Sequence, residues 1–190
     1  MSSTYRQSLD KWLGELEIDA DTVYDVGASQ EKLPNRVKRF DAREYVTFDL
    51  ESPHKGDKPD VVCDLNSGNN KPISGYLGMA NAVFCLEVME YIYRPETALR
   101  TLRSLMSKDA YLWVSFMTNY PLHQPIEDDA LRYQMGGIEK LAELVGLKIT
   151  DVIPRRFETN AYMQFCSAER LRAAKGEEQV AGYIIRFERT

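Results

Sequence analysis

Histidine and cysteine are scarce in this sequence, which has two histidines and three cysteines among 190 residues. No CxxC pair occurs, and Cys63 and Cys85 stand within apolar runs, so buried reduced thiols are expected rather than disulfides or a zinc site. The acidic run 127–129 has no histidine or cysteine nearby at ligand spacing. These shortages predict a cytoplasmic protein with no metal centre.

Long apolar runs and an excess of positive charge are also lacking. No run approaches the roughly 20 residues of a membrane span, and the polar first residues lack the apolar core of a signal peptide. The net charge of −5 and the pI near 5.2 disfavour general binding to nucleic acid or to anionic membranes. Apolar residues make up 44% of the sequence and charged residues 28%, which is typical of one globular domain.

The apolar pattern predicts alternating helices and strands. Helical spacing indicates an N-terminal helix within residues 1–20, and an α/β core follows over residues 21–190. Apolar runs predict strands at 22–26, 44–50, 60–65, 82–87, 110–117, 147–153 and 182–187. Helices are predicted over 30–40, near 73–79, from Pro95, over 138–145 and over 162–174. The alternation predicts a doubly wound, mostly parallel, seven-stranded sheet with helices on both faces.

Each of the first four predicted strands has a carboxylate at or near its end, namely Asp25, Asp49, Asp64 and Glu87. The carboxyl ends of parallel strands share the edge of the sheet at which ligands bind. Gly27 follows the first strand and leaves no Cβ between the main chain and a bound molecule. The GxGxxG dinucleotide pattern is absent. Because carboxylates repel phosphate, this rim predicts a ligand that offers hydroxyls, an amine and positive charge.

Five segments occur in an order and spacing that resemble a known family, the class I S-adenosylmethionine-dependent methyltransferases. Residues 23–29 resemble its first motif in degenerate form, because the later glycines are missing. Residues 45–50 resemble its second motif and residues 64–65 the pair that reads the adenine. Residues 84–95 resemble the segment after strand four in the branch that modifies small molecules. Residues 130–147 resemble the family's late helix and strand.

The resemblance implies that S-adenosylmethionine is the cofactor. It implies that Asp49 holds the ribose hydroxyls and that Asp64 and Leu65 contact the adenine. The full set of residues expected to bind the cofactor is Asp25, Gly27, Ala28, Ser29, Asp49, Leu50, Asp64, Leu65, Leu86 and Glu87. Tyr91 stands where this branch often has a histidine, which removes a base or orienting group from that place.

The activity that the resemblance implies is methyl transfer to an oxygen of a small molecule or glycan precursor, with transfer to a nitrogen as the less favoured alternative. His123 lies after the fifth strand and between two prolines, where it is a candidate base for the acceptor's proton. The alternative for His123 is an ordinary loop residue. The acidic run 127–129 is interpreted as a solvated helix start. The basic residues Arg36, Arg155 and Arg156 are interpreted as solvated, with anionic-substrate binding by the last two as the alternative.

Two other classes of function stay open at this point. One is a non-catalytic protein with the same fold that binds the cofactor or serves as a partner subunit. The other is a nicotinamide-dependent oxidoreductase, which the late elements fit poorly. The sequence also leaves a homodimer open.

Overall fold

The computed structural model describes residues 4–28, 31–52, 58–119, 125–156 and 180–190. The helices are α1 (Thr4–Glu15), α2 (Pro95–Leu105) and α3 (Met135–Val145). The strands are β1 (Glu17–Val26), β2 (Arg39–Asp49), β3 (Val61–Val62), β4 (Ala80–Cys85), β5 (Met106–Met117), β6 (Leu147–Arg156) and β7 (Val180–Arg189). Single 3₁₀ turns occur at Leu33–Asn35, Ser74–Tyr76 and Met89–Tyr91.

The seven strands form one sheet in the order β3-β2-β1-β4-β5-β7-β6. Only β7 runs antiparallel to its neighbours in this sheet. The predicted doubly wound, mostly parallel sheet is therefore confirmed. The chain builds outward from β1 to β3 and returns to place β4 on the other side of β1. The strand order thus reverses between β1 and β4, which is where such sheets leave a crevice for ligands.

The registers bring the ends of the central strands to one level. Val26 of β1 pairs with Phe48 of β2 and with Cys85 of β4. Phe48 in turn pairs with Val61 of β3. The loops that follow these four strands therefore leave the sheet side by side at one edge, and residues far apart in sequence meet there.

Helices cover both faces of the sheet, as predicted. On one face α1 buries Leu9 and Leu13 against a cluster that includes Phe84, and Trp12 packs edge-on against Trp113 with 4.9 Å between ring centroids. On the other face α2 and α3 pack together over the larger apolar cluster. Gly146, in the left-handed conformation with φ of 69°, ends α3.

Several predicted elements are shorter in the structure. The predicted helix over 30–40 is wrong, because β2 already begins at Arg39 and the described part holds only the 3₁₀ turn at Leu33–Asn35. The third strand is two residues rather than six, since the Asp60 carboxylate binds Thr47 and the chain turns again after Asp64. The helix predicted near 73–79 is the 3₁₀ turn at Ser74–Tyr76. The helix predicted over 162–174 lies outside the described residues.

The predicted buried thiols are confirmed for two of the three cysteines. Cys63 and Cys85 are free and buried, and burial raises the pKa of the Cys63 thiol to about 11. Such thiols stay protonated and unreactive at neutral pH. None of the helices in the described part of the chain is long and apolar enough to cross a membrane.

Candidate ligand-binding site

A cavity of about 890 Å³ lies at the carboxyl ends of β1 to β4. Its apolar lining includes Val26, Leu65, Val88 and Ile92, and its rim is mostly acidic. Seven of the ten residues expected to bind the cofactor line it, namely Gly27, Asp49, Leu50, Asp64, Leu65, Leu86 and Glu87. Most of the predicted residues therefore share one cavity, whereas Ser29 lies outside the described residues.

The turn at Gly27 is the floor of this cavity. Gly27 has a φ of +85°, which a side chain would strain, and its N–H donates a 2.7 Å hydrogen bond to the Phe48 carbonyl. A Cβ at this position would overlap Cγ2 of Val88, which follows β4. Glycine is needed here because two loops of the protein meet, in addition to any close approach by a ligand.

Asp25 is not among the described residues that line the cavity. Its carboxylate is buried and accepts hydrogen bonds from the Tyr45 hydroxyl at 2.7 Å and the Leu33 N–H at 3.2 Å. Burial raises the pKa of Asp25 to about 6. Asp25 thus ties the segment after β1 to β2, which is a structural role next to the site. Ala28, also predicted, is likewise absent from the described lining.

Asp49 and Asp64 reach the cavity from the neighbouring strand ends of β2 and β3. Asp49 Oδ1 accepts a 2.7 Å hydrogen bond from the Leu50 N–H. Asp64 Oδ1 accepts a 2.8 Å hydrogen bond from the Asn66 N–H. Each carboxylate is oriented by a backbone donor in its own loop, while the buried Leu65 supplies apolar surface between them.

The cations of the described lining are Arg6 and Arg36. Arg36 donates to Asp10 of α1 at 3.1 Å, and only 14% of its side chain is exposed, so its interpretation as a solvated residue was wrong. Arg6 lies one helical turn before Asp10 on the same face of α1. Arg6, Arg36 and Asp10 therefore lie together at one corner of the cavity, where their combined charge is +1. The remaining charged lining is acidic and consists of Glu31, Asp49, Asp64, Glu87, Glu127 and Asp128.

Arg155 is buried at the end of β6 and is only 1% exposed, so its interpretation as a solvated residue was also wrong. It forms an ion pair with Glu87, and its Nε donates to Ser8 Oγ of α1 at 3.3 Å. The Ser115 hydroxyl donates to Glu87 Oε1 at 3.0 Å. Glu87 has a φ of 59°, a strained value for a residue with a side chain. The neighbouring Arg156 is exposed, as predicted.

Comparison with known proteins identifies this architecture. No family model and no curated protein matches the sequence. Solved structures match: a methyltransferase from Mesorhizobium loti has a TM-score of 0.60 at 12% identity, with 99% of each chain covered. A Burkholderia thailandensis N1-methyltransferase with bound S-adenosylhomocysteine has a TM-score of 0.59 at 11% identity and covers 98% of this chain and 76% of its own. The chain has the class I methyltransferase fold.

A third match is a chain from a Haloferax volcanii complex that includes the Trm112 methyltransferase activator. Its TM-score is 0.61 at 12% identity, with 98% of this chain and 89% of that chain covered. The predicted resemblance to class I methyltransferases is thus confirmed at the level of the fold. In this fold the described chain has no full helix between β1 and β2, where the turn at Leu33–Asn35 makes the crossover.

Glu90 was not among the residues predicted from the sequence to belong to the site, although its neighbours Val88 and Tyr91 line the cavity. It lies in the 3₁₀ turn after β4 and is fully buried, and neither of its carboxyl oxygens has a hydrogen-bond partner among the described residues. Burial, followed by the nearby Glu87, raises the pKa of Glu90 to about 8. The available signal was its position three residues after Glu87 between apolar residues.

The segment 125–134 closes the cavity beyond β4. The N–H groups of Ala130 and Leu131 donate to the Glu90 carbonyl at 2.7 and 3.2 Å, and the Tyr133 hydroxyl donates to the Met89 carbonyl at 2.9 Å. The predicted solvated helix start at 127–129 is wrong in one respect. Asp129 has a fully buried side chain that pairs with Arg132, and α3 begins only at Met135. His123, the predicted base, lies outside the described residues.

Proposed function

We propose that this chain is an S-adenosylmethionine-dependent methyltransferase acting on an oxygen of a small molecule or glycan precursor. The observation that carries the proposal is the polarity of the cavity at the strand-order reversal. Two arginines make one corner positive, and carboxylates from three strand ends make the remainder negative. S-adenosylmethionine has a complementary pattern, with one carboxylate and otherwise cationic or hydrogen-bond-donating groups.

Asp49 is assigned to the ribose of the cofactor. A carboxylate at the end of β2 offers two oxygens to a diol, and both hydrogen bonds are charge-assisted. Asp64 and Leu65 are assigned to the adenine, because a carboxylate at the end of β3 can accept from an exocyclic amine and the buried Leu65 beside it offers the ring an apolar surface. The carboxylates also disfavour a pyrophosphate, which argues against the nicotinamide alternative.

Arg6 and Arg36 are assigned to the carboxylate of the cofactor's methionine portion. They are the cations of the described lining, and Arg36 is already oriented by Asp10. An oriented guanidinium loses less side-chain entropy when it binds a carboxylate. The assignment places the methionine portion beside α1 and the adenine portion beside β3.

S-adenosylmethionine supplies, when bound, a methyl group that its sulfonium has already activated. The chain's own task is then to align the acceptor and exclude water. Tyr91, Pro125 and Ala130 line the cavity beyond β4 and offer the acceptor a surface. A base is needed only where the acceptor loses a proton during attack, and His123 stays our prediction for that role.

A second candidate is a partner subunit that keeps the fold without catalysis. The Haloferax volcanii match comes from a complex between a methyltransferase activator and a proposed methyltransferase, so it supports a chain that works with a partner protein but does not distinguish an enzyme from a non-catalytic subunit. The shortened crossover between β1 and β2 is compatible with a less enclosed cofactor.

Calorimetric titration with S-adenosylmethionine, S-adenosylhomocysteine and NAD tests the proposal. Binding of the first two without NAD is the expected result. Binding of NAD alone, or of none of the three, would overturn the cofactor assignment. Transfer of a labelled methyl group to any member of an acceptor panel then separates the enzyme from the partner subunit.

A further inference from the structure

Glu87, Glu90 and Arg155 form a buried charge group at the end of β4. Glu90 is fully buried and lacks a hydrogen-bond partner on either oxygen within the described residues. Glu87 lines the cavity and is paired with Arg155, which is itself buried. The Arg155 guanidinium therefore lies near both carboxylates, and of the two it is Glu87 that forms an ion pair with it.

Among the described residues, Arg155 is the one cation known to act on Glu90. The titratable groups that interact with Glu90 from its own segment are Cys85, Glu87 and Tyr91. Arg155 interacts with it from β6. From the segment 125–134 the interacting groups are Asp129 and Tyr133, and Asp129 is neutralised by its ion pair with Arg132. With every carboxylate ionised the group carries one excess negative charge, so at neutral pH Glu90 holds a proton.

We infer that Glu90 makes the cavity distinguish the cationic cofactor from its neutral product. This inference rests on the proposed function. S-adenosylmethionine carries a net charge of +1 and S-adenosylhomocysteine none, so only the former replaces the proton as the balancing charge. When S-adenosylmethionine enters at a pH close to the pKa of Glu90, the Glu90 carboxyl loses its proton to solvent, and the resulting carboxylate attracts the sulfonium.

The size of this effect follows from Coulomb's law. A unit charge acting across ~10 Å at an effective dielectric constant of ~20–40 changes an affinity about four- to fifteenfold. The preference for S-adenosylmethionine over S-adenosylhomocysteine should rise by that factor as Glu90 ionises near pH 8. The physical consequence is that release of the product becomes easier, relative to release of the substrate, as the pH rises through 8.

The test measures dissociation constants of both ligands by calorimetry between pH 6.5 and 9.5. Wild type is compared with Glu90→Gln and with Glu139→Gln, which removes an exposed carboxylate on α3. We expect the dissociation constant of S-adenosylhomocysteine, divided by that of S-adenosylmethionine, to rise four- to fifteenfold as the pH increases through 8 in wild type and in Glu139→Gln. In Glu90→Gln the ratio should change with pH only through the titration of the ligands' own ammonium groups. That contribution is the same in all three proteins.

Identical pH profiles for the ratio in wild type and Glu90→Gln would overturn the inference while leaving the cofactor assignment intact. Failure of both ligands to bind wild type would instead overturn the proposed function, and the inference with it. Glu87→Gln gives a second variant. Removing that like charge frees Arg155 for Glu90, so the rise in preference should move below pH 8. An unmoved midpoint in Glu87→Gln would also contradict the inference.

Discussion

Gly27 and Val88 contact each other across the strand-order reversal, where the turn after β1 meets the loop after β4. A Cβ on residue 27 would overlap Cγ2 of Val88, and the φ of +85° at Gly27 is itself unfavourable for a side chain. Two separable physical causes therefore require glycine at this position, one in the backbone and one in the neighbouring loop.

Gly27→Ala should destabilise the protein for both reasons. The left-handed backbone costs about 1–3 kcal/mol for a residue with a side chain, and displacement of Val88 adds to it. Val88→Ala in the Gly27→Ala background should recover the steric part and leave the backbone part. Chemical denaturation of the two single variants and the double variant measures the coupling. Additive effects within about 0.5 kcal/mol would show that the contact with Val88 is not what excludes a side chain.

Arg155 and Glu87 provide a test of the buried ion pair. Arg155→Ala should lower the free energy of unfolding by about 1–3 kcal/mol, because it removes the partner of the Glu87 carboxylate, whose side chain is only 24% exposed. The double variant Glu87→Leu with Arg155→Met should recover most of that loss, since apolar replacements of a buried pair are often neutral. Arg156→Ala, at an exposed neighbour, is the matched control and should change stability by less than about 0.5 kcal/mol. An equal loss in the double variant would mean that Arg155 acts by other contacts.

The strands were predictable because a sheet covered on both faces is built from short apolar runs, and such runs can be recognised in the sequence alone. The side chains at the strand ends were harder to assign. Asp25 looked like a cavity residue, but it lies on the α1 face and its carboxylate is used by Tyr45 and Leu33. Arg155 looked solvated beside Arg156, because the sequence does not show that β6 continues to residue 156 and alternates inward.

Asp25 predicts a measurable dependence of stability on pH. Its folded-state pKa of about 6 lies above the ordinary value of 3.8, so the folded protein binds the proton more tightly than the unfolded chain. The stabilisation is fully present below about pH 4 and is lost as the pH rises through 6, with a total of about 3 kcal/mol. Asp25→Asn keeps a hydrogen-bond acceptor for Tyr45 and removes the titration.

Urea denaturation of wild type and Asp25→Asn at pH 4, 5, 6 and 7 measures the difference. The difference between the free energies of unfolding of Asp25→Asn and wild type should shift in favour of Asp25→Asn as the pH rises from 4 to 7. Parallel curves for the two proteins would show that the ionised Asp25 carboxylate is not penalised by burial.

His123 gives a prediction that depends on an acceptor being found. As a general base it should contribute about 10²–10⁴ to the rate, so His123→Ala should lose that factor in single-turnover methyl transfer while its affinity for S-adenosylmethionine is unchanged. His54→Ala, which removes the other histidine of the sequence, is the matched control. If His123→Ala transfers the methyl group at a rate within threefold of wild type, His123 is not the base, and alignment of the acceptor by the cavity is the source of catalysis.

The proposed polarity of the cavity can be tested at its two ends, because Asp49 and Arg36 should bind different parts of the ligand. S-adenosylhomocysteine has both a ribose and an amino-acid carboxylate, whereas 5′-methylthioadenosine has only the ribose and adenine. Asp49→Ala should weaken both ligands by about 1.5–3 kcal/mol, the usual contribution of hydrogen bonds to a charged group. Arg36→Met should weaken S-adenosylhomocysteine by a similar amount and leave 5′-methylthioadenosine within twofold of wild type.

Two controls make the comparison specific. Asp10→Asn removes the partner of Arg36 but keeps the guanidinium, so it should weaken S-adenosylhomocysteine far less than Arg36→Met does. Asp109→Ala removes an exposed carboxylate at the opposite end of β5 and should change neither affinity. Loss of 5′-methylthioadenosine binding in Arg36→Met would place the nucleoside, rather than the carboxylate, beside α1. That result would reverse the orientation assigned to the ligand and would leave Asp49 facing the amino-acid end.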